Sequence, residues 1–282
     1  MTVIEHQYRN PTMKKILFAF LLISTSFYAQ NYEKNWNKVI ENENNGKIKS
    51  ANAIVNKIHK KAIADKNEVQ IIKCFFYESK YLQVVDENAQ TKIINNLNAE
   101  IEKASIPSKA ILNLVYAKCL SDYQKQNYNL VYSRTNTLSL DDDFSTWTRT
   151  DFTNKINTSF ENTLKDEDIL KSTSLAQYEE IFDIITLEEF KKESIFDYLQ
   201  QENISFYTKK IEQWSIQKRK FIIHEKELLG KSTDFIKLNF DFIKDENLKK
   251  ITCIVSKAGN QCCNFRKSIR QNAILQYLFT RF

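Results

Sequence analysis

Glycine and proline are nearly missing from this chain: 282 residues hold three glycines and two prolines. Proteins rich in β-hairpins use both at tight turns, because glycine reaches positive φ and proline presets φ. Their scarcity argues for long helices joined by short polar connections. Histidine is as sparse, at His6, His59 and His224. A Ser-His-Asp or Cys-His site needs a base oriented by a third group, and no such pattern surrounds any of the three. His59 lies among Lys57, Lys60 and Lys61 and is expected to be solvated. The chain therefore reads as a non-enzyme, with no catalytic, cofactor-binding or metal-binding residues assigned. Long apolar runs are missing too. The longest near the start, Ile16 to Ile23, falls well short of the roughly 20 residues that span a bilayer.

That short run has a recognisable frame. Met13-Lys14-Lys15 precedes it, and Ser24-Thr25-Ser26-Phe27-Tyr28-Ala29-Gln30 follows. A basic start, a short apolar core and small or polar residues near an alanine make a secretory signal peptide. Cleavage after Ala29 or Gln30 would leave a mature chain from about Asn31. No cysteine follows the apolar core, so lipid attachment is not expected. Residues 1–12 show no periodicity and read as an upstream start called too early. Export to the periplasm or cell envelope of a Gram-negative type bacterium is the expected destination.

Acidic residues stop at Glu246, while Lys249, Lys250, Lys257, Arg266, Lys267, Arg270 and Arg281 follow. This tail more than accounts for the net charge of +6, and the body is mildly acidic without it. The basic balance is thus no argument for nucleic acid or a membrane surface. Cys253, Cys262 and Cys263 also cluster there. The change in composition near Lys250 reads as an aberrant segment over 251–282, translated from a wrong frame or a truncated gene; a native basic tail for an acidic partner is the alternative.

Between these ends the apolar spacing is helical. Ile48, Ala51, Ile54, Ile58 and Ala62 form one stripe. Val69, Ile72, Phe76 and Leu82 form the next, and Ile93, Ile94, Leu97 and Ile101 a third. Pro107 suits a helix start, where its missing N–H is not needed; Ile111, Leu114, Val115 and Ala117 follow it. Further stripes run through Leu175, Tyr178, Ile181, Phe182 and Ile185, then Ile195, Leu199 and Phe206. Breaks fall at 42–46, 64–67, 86–88, 104–107, 140–145, 165–168 and 186–192. The expected fold is all-α: antiparallel helical hairpins in an irregular bundle or α-solenoid-like array, over 31–210, with a connector over 211–250.

Several motifs fail on inspection. Gly230-Lys231-Ser232 resembles the end of a phosphate-binding loop, but Glu225 stands where that loop needs glycine. An EF-hand from Asp141 would need Gly at 146 and Glu at 152, and the chain has Thr146 and Phe152. The run Asp141-Asp142-Asp143 is better read as a loop capping a helix from Ser145. The three late cysteines lack paired zinc spacing. Cys74 and Cys119 fall on apolar stripes and read as buried core, though export would permit a disulfide between them. Trp36, Trp147 and Trp214 could form a stacking surface, but aromatics at helical spacing are more often core.

The order of features resembles the N-terminal helical region of large bacterial alpha-2-macroglobulin-like secreted proteins. The resemblance rests on Asn31-Tyr32-Glu33-Lys34-Asn35-Trp36, with Val39, Gly46 and Lys49-Ser50-Ala51 after it. Gln70-Ile71-Ile72-Lys73, Pro107-Ser108-Lys109-Ala110-Ile111-Leu112 and Tyr116-Ala117 continue it. Trp147 before a long helix, Ser194-Ile195-Phe196-Asp197-Tyr198-Leu199 and Ile204-Ser205-Phe206-Tyr207 complete it. The family traps proteases with β-sandwich domains, a bait segment and sometimes a Cys-x-Glu-Gln thioester. None of those parts occurs here. The resemblance therefore implies a truncated leader, inactive alone, that scaffolds or docks the missing domains. A stand-alone exported helical-repeat module binding a protein partner is the alternative.

Overall fold

The computed structural model describes residues 32–134, 143–182, 192–214 and 246–257. The signal-peptide stretch, Asp141, Asp142, His224, the Gly230 turn, Cys262 and Cys263 all lie outside them. The described part is helical, as expected. Its one extended pairing is a single antiparallel bridge between Ser174 and Ser194. No helix among the described residues is long and apolar enough to cross a membrane.

Helix α1 covers residues 32–44. Gly46 then takes φ +69°, a left-handed turn that costs glycine least, and α2 follows at Ile48–Asp65. Lys66 ends α2 in the left-handed region at φ 55°, and Asn67 opens α3 (Glu68–Val85) by accepting a hydrogen bond from the Gln70 N–H. A reversal this short turns α3 back along α2. Next come α4 at Ala89–Lys103 and α5 at Ile106–Gln126, with Pro107 in its first turn. A short α6, Tyr128–Ser133, follows. Then come α7 at Arg149–Asn162, α8 at Glu167–Ser172, α9 at Ile195–Trp214 and α10 at Glu246–Lys257.

Two apolar clusters share α3. The smaller packs Tyr32, Trp36 and Val39 of α1 against Val55 and Ile58 of α2 and Cys74 and Tyr81 of α3. The larger uses the other side of α3, Ile72 and Phe75, and extends through α4, α5, α7 and α9. Helix α5 sits at its centre. Ile111, Leu112, Leu114, Tyr116, Ala117, Leu120 and Tyr123 are all buried, so apolar residues occupy most of its circumference, as a helix surrounded by others requires. Trp36 and Trp147 belong to these cores. Trp36 is buried, and Trp147 packs edge-on against Phe144 and Phe152.

Two local expectations are corrected. No long helix starts at Ser145. Asp143 accepts from the Ser145 N–H at 2.9 Å and caps only a 3₁₀ turn, Phe144–Thr146. The long helix starts at Arg149, where Thr148 and Asp151 close a capping box. The stripe from Leu175 also yields only a 3₁₀ turn, Leu175–Tyr178. There the Leu175 N–H donates to Glu193 O and the Ile195 N–H to Thr173 O, each at 2.9 Å. This backbone pairing competes with the helical ladder. Ile185 lies outside the described residues. Cys74 and Cys119 sit with the core, as their apolar stripes suggest: Cys74 is buried in the smaller cluster and Cys119 packs beside the larger one, and the disulfide left open between them is not formed.

The compositional break near Lys250 falls inside α10. That helix packs on α9, with Ile251 fully buried in the larger cluster. Gln200 Nε2 donates to Ile254 O at 3.1 Å, and Lys250 pairs with Glu161 at 3.0 Å.

Candidate functional site: a groove across the third helix

Helices α2 and α4 flank one face of α3 and leave a groove of about 550 Å³ between them. Each helix presents residues spaced by about one turn. Ile48, Asn52, Asn56 and His59 come from α2; Phe75, Glu78, Ser79, Leu82 and Val85 from α3; Asn96, Ala99, Glu100 and Lys103 from α4. Spacings of three and four keep side chains on one helical face. At about 1.5 Å rise per residue, the α2 and α3 stripes are each about 15 Å long. The floor is apolar through Phe75 and Leu82, and Val85 stands 65% exposed at one end.

The charged end is organised by His59. Its Nδ1 lies 2.9 Å from Glu78 Oε1, linking α2 to α3. This side chain is not solvated as the lysine-rich surroundings suggest; it is partly buried against the next helix. The hydrogen bond to Glu78 raises the His59 pKa above its ordinary 6.5. Burial opposes the shift, the Glu78 and Glu100 charges add to it, and Lys103 acts against it. Lys103 pairs with Glu100 at 2.9 Å on the facing helix. The groove thus carries two ion pairs on opposite walls. Glu78 lies 19 positions from His59, so nothing in the local sequence marks the pair.

Two buried polar atoms lie near the apolar end. Asn52 Oδ1 has no hydrogen-bond partner among the described residues. The buried Tyr81 hydroxyl lacks one at hydrogen-bonding geometry, and its ionisation is pushed upward by burial and by the nearby Glu43 carboxylate.

A second cleft, of about 840 Å³ between α1 and the ends of α2 and α3, is lined by polar contacts. Trp36 Nε1–H donates to Gln70 Oε1 at 2.7 Å, and Gln70 Nε2 donates to Glu180 Oε2 at 2.8 Å. Lys73 reaches the same Glu180 oxygen at 2.9 Å and lies 4.6 Å from the Trp36 ring centroid. Tyr77 packs on that indole at 4.7 Å. The ring is therefore covered and offers no open stacking face. Among the described residues, no group of three or more His, Cys, Asp or Glu is placed to hold a metal ion.

No protein-family model matches this chain, and neither a curated protein nor a solved structure shows significant similarity to it.

Proposed function

We propose that this chain is an exported helical docking module whose groove across α3 receives an amphipathic helix of a protein partner. The observation that carries the reading is the convergence of three helical stripes on one open, apolar-floored groove. Amphipathic helices dock in such grooves through anchors at i, i+3, i+4 and i+7. A groove about 15 Å long accommodates about ten residues of helix. Leu82 and Val85 offer apolar contact to its anchors over a floor set by the buried Phe75. The role is binding rather than catalysis.

Two settings fit this module. In the first, suggested by the alpha-2-macroglobulin-like order of features, it is a leader that docks downstream protease-trapping domains and is inactive without them. In the second it works alone as an exported binding module. Ile251 of α10 packs into the larger cluster beside α9 in either setting. Sequencing the native gene past the Lys250 codon and translating its forward frames separates them. A long frame of strand-patterned domains supports the leader. A verified stop after Phe282 with no such frame contradicts it and leaves the stand-alone module.

A further inference from the structure

We propose that a separate cleft, framed by α4, α5 and α7, binds a small phosphorylated polyol or sugar. The cleft measures about 360 Å³, within the lower part of the range typical of small-molecule pockets. Lys109 of α5, Lys155 of α7 and Lys165 in the turn behind α7 all line it. No carboxylate among the described residues lies within ion-pair distance of these three. With Glu102 and Asp166 in the same lining the cleft carries one net positive charge; Lys155 Nζ lies 5.9 Å from the Tyr116 ring centroid, and none of the three ammonium groups is held by a carboxylate. A phosphate monoester carries about −1.5 to −2 charge at neutral pH, and lysine binds phosphate as a point charge.

The rest of the lining selects what carries the phosphate. Asn113 is buried, and its Nδ2 is committed to Lys109 O at 2.9 Å, so its Oδ1 remains to accept. Ser159 is buried opposite it and offers a hydroxyl. Two exposed carboxylates, Glu102 and Asp166, also line the cleft. They oppose a bare phosphate ion but accept hydrogen bonds from hydroxyl groups. The lysines and carboxylates together match a ligand that is anionic at one end and hydroxylated at the other.

Isothermal titration of the full chain at fixed ionic strength tests this, with glucose 6-phosphate as probe and glucose and inorganic phosphate for comparison. The expected result is saturable binding of glucose 6-phosphate, weaker binding of inorganic phosphate and none of glucose. Lys155→Ala with Lys165→Ala should weaken binding at least about tenfold, or 1.4 kcal/mol. Both side chains are exposed, so the fold should tolerate their loss. A charge-matched control, Lys57→Ala with Lys60→Ala on the outer face of α2, should leave binding unchanged. The proposal is overturned by no saturable binding, by glucose binding as tightly as its phosphate, or by equal effects of the two double variants.

Discussion

His59 Nδ1 of α2 and Glu78 Oε1 of α3 stand 2.9 Å apart beside the groove. The contact joins two helices at the point where α4 also approaches with Glu100 and Lys103. It makes the groove wall sensitive to pH. The His59 pKa is raised in the folded protein, so the folded state holds its proton more tightly than the unfolded chain. The pair's contribution to stability is fully present below the ordinary value near 6.5. It is lost as pH rises through the raised folded value. The stability difference between wild type and His59→Gln, from urea unfolding, should therefore be larger at about pH 6 than at about pH 9. A difference independent of pH would contradict the assignment.

Asn203 joins α9 to the end of α7. Its Nδ2 donates at 2.8 Å both to Thr163 Oγ1 and to the carbonyl of Leu199, and Thr163 donates onward to Phe160 O at 2.6 Å. The group is buried, so Asn203→Ala removes donors that water cannot replace at no cost. A destabilisation of about 1–3 kcal/mol is expected in urea unfolding. A change of under about 0.5 kcal/mol would place Asn203 with ordinary surface positions.

Core and surface should separate cleanly on neighbouring helices. Leu97 is fully buried, whereas Ile63 is 58% exposed despite being just as apolar. Leu97→Ala should cost about 2–5 kcal/mol, and Ile63→Ala about 0.5 kcal/mol or less. Equal losses would contradict the packing of α4 on α5.

Thiol chemistry should follow burial. Cys74 is fully buried and its thiol is pushed up to about 12, mainly by burial; burial likewise moves Cys119 to about 11. Cys253 is exposed on α10. Since the thiolate is the reacting form, alkylation of the native protein near neutral pH should modify Cys253 well before Cys74. Peptide mapping by mass spectrometry reads the order. Early loss of Cys74 would show that the α1–α2–α3 cluster opens readily.

The all-helical body was legible because its buried positions recur at helical spacing. Ile93, Ile94, Leu97 and Ile101 are all buried, and the breaks at 64–67, 86–88 and 104–107 are where α2, α3 and α4 give way to the next helix. Periodicity says less about α5, whose central place buries Leu112, Tyr116 and Leu120 beyond any single stripe. It misleads at Leu175, where a long-range backbone pairing decides the conformation. The groove was not legible at all. Its residues come from three helices, and whether a fourth helix covers them is a tertiary fact. For the same reason the lysines beside His59 in sequence gave no hint of Glu78.

The docking account turns on whether the groove across α3 is occupied by a partner helix. A photo-reactive amino acid at Ser79, inside the groove, should cross-link in intact cells of the native host to one discrete partner segment. That segment should map to an amphipathic helix, and Leu82→Glu should abolish the cross-link. The same probe at Lys57, on the outer face of α2, should give no such product. Equal products from Ser79 and Lys57, or a Ser79 product that survives Leu82→Glu, would contradict the account.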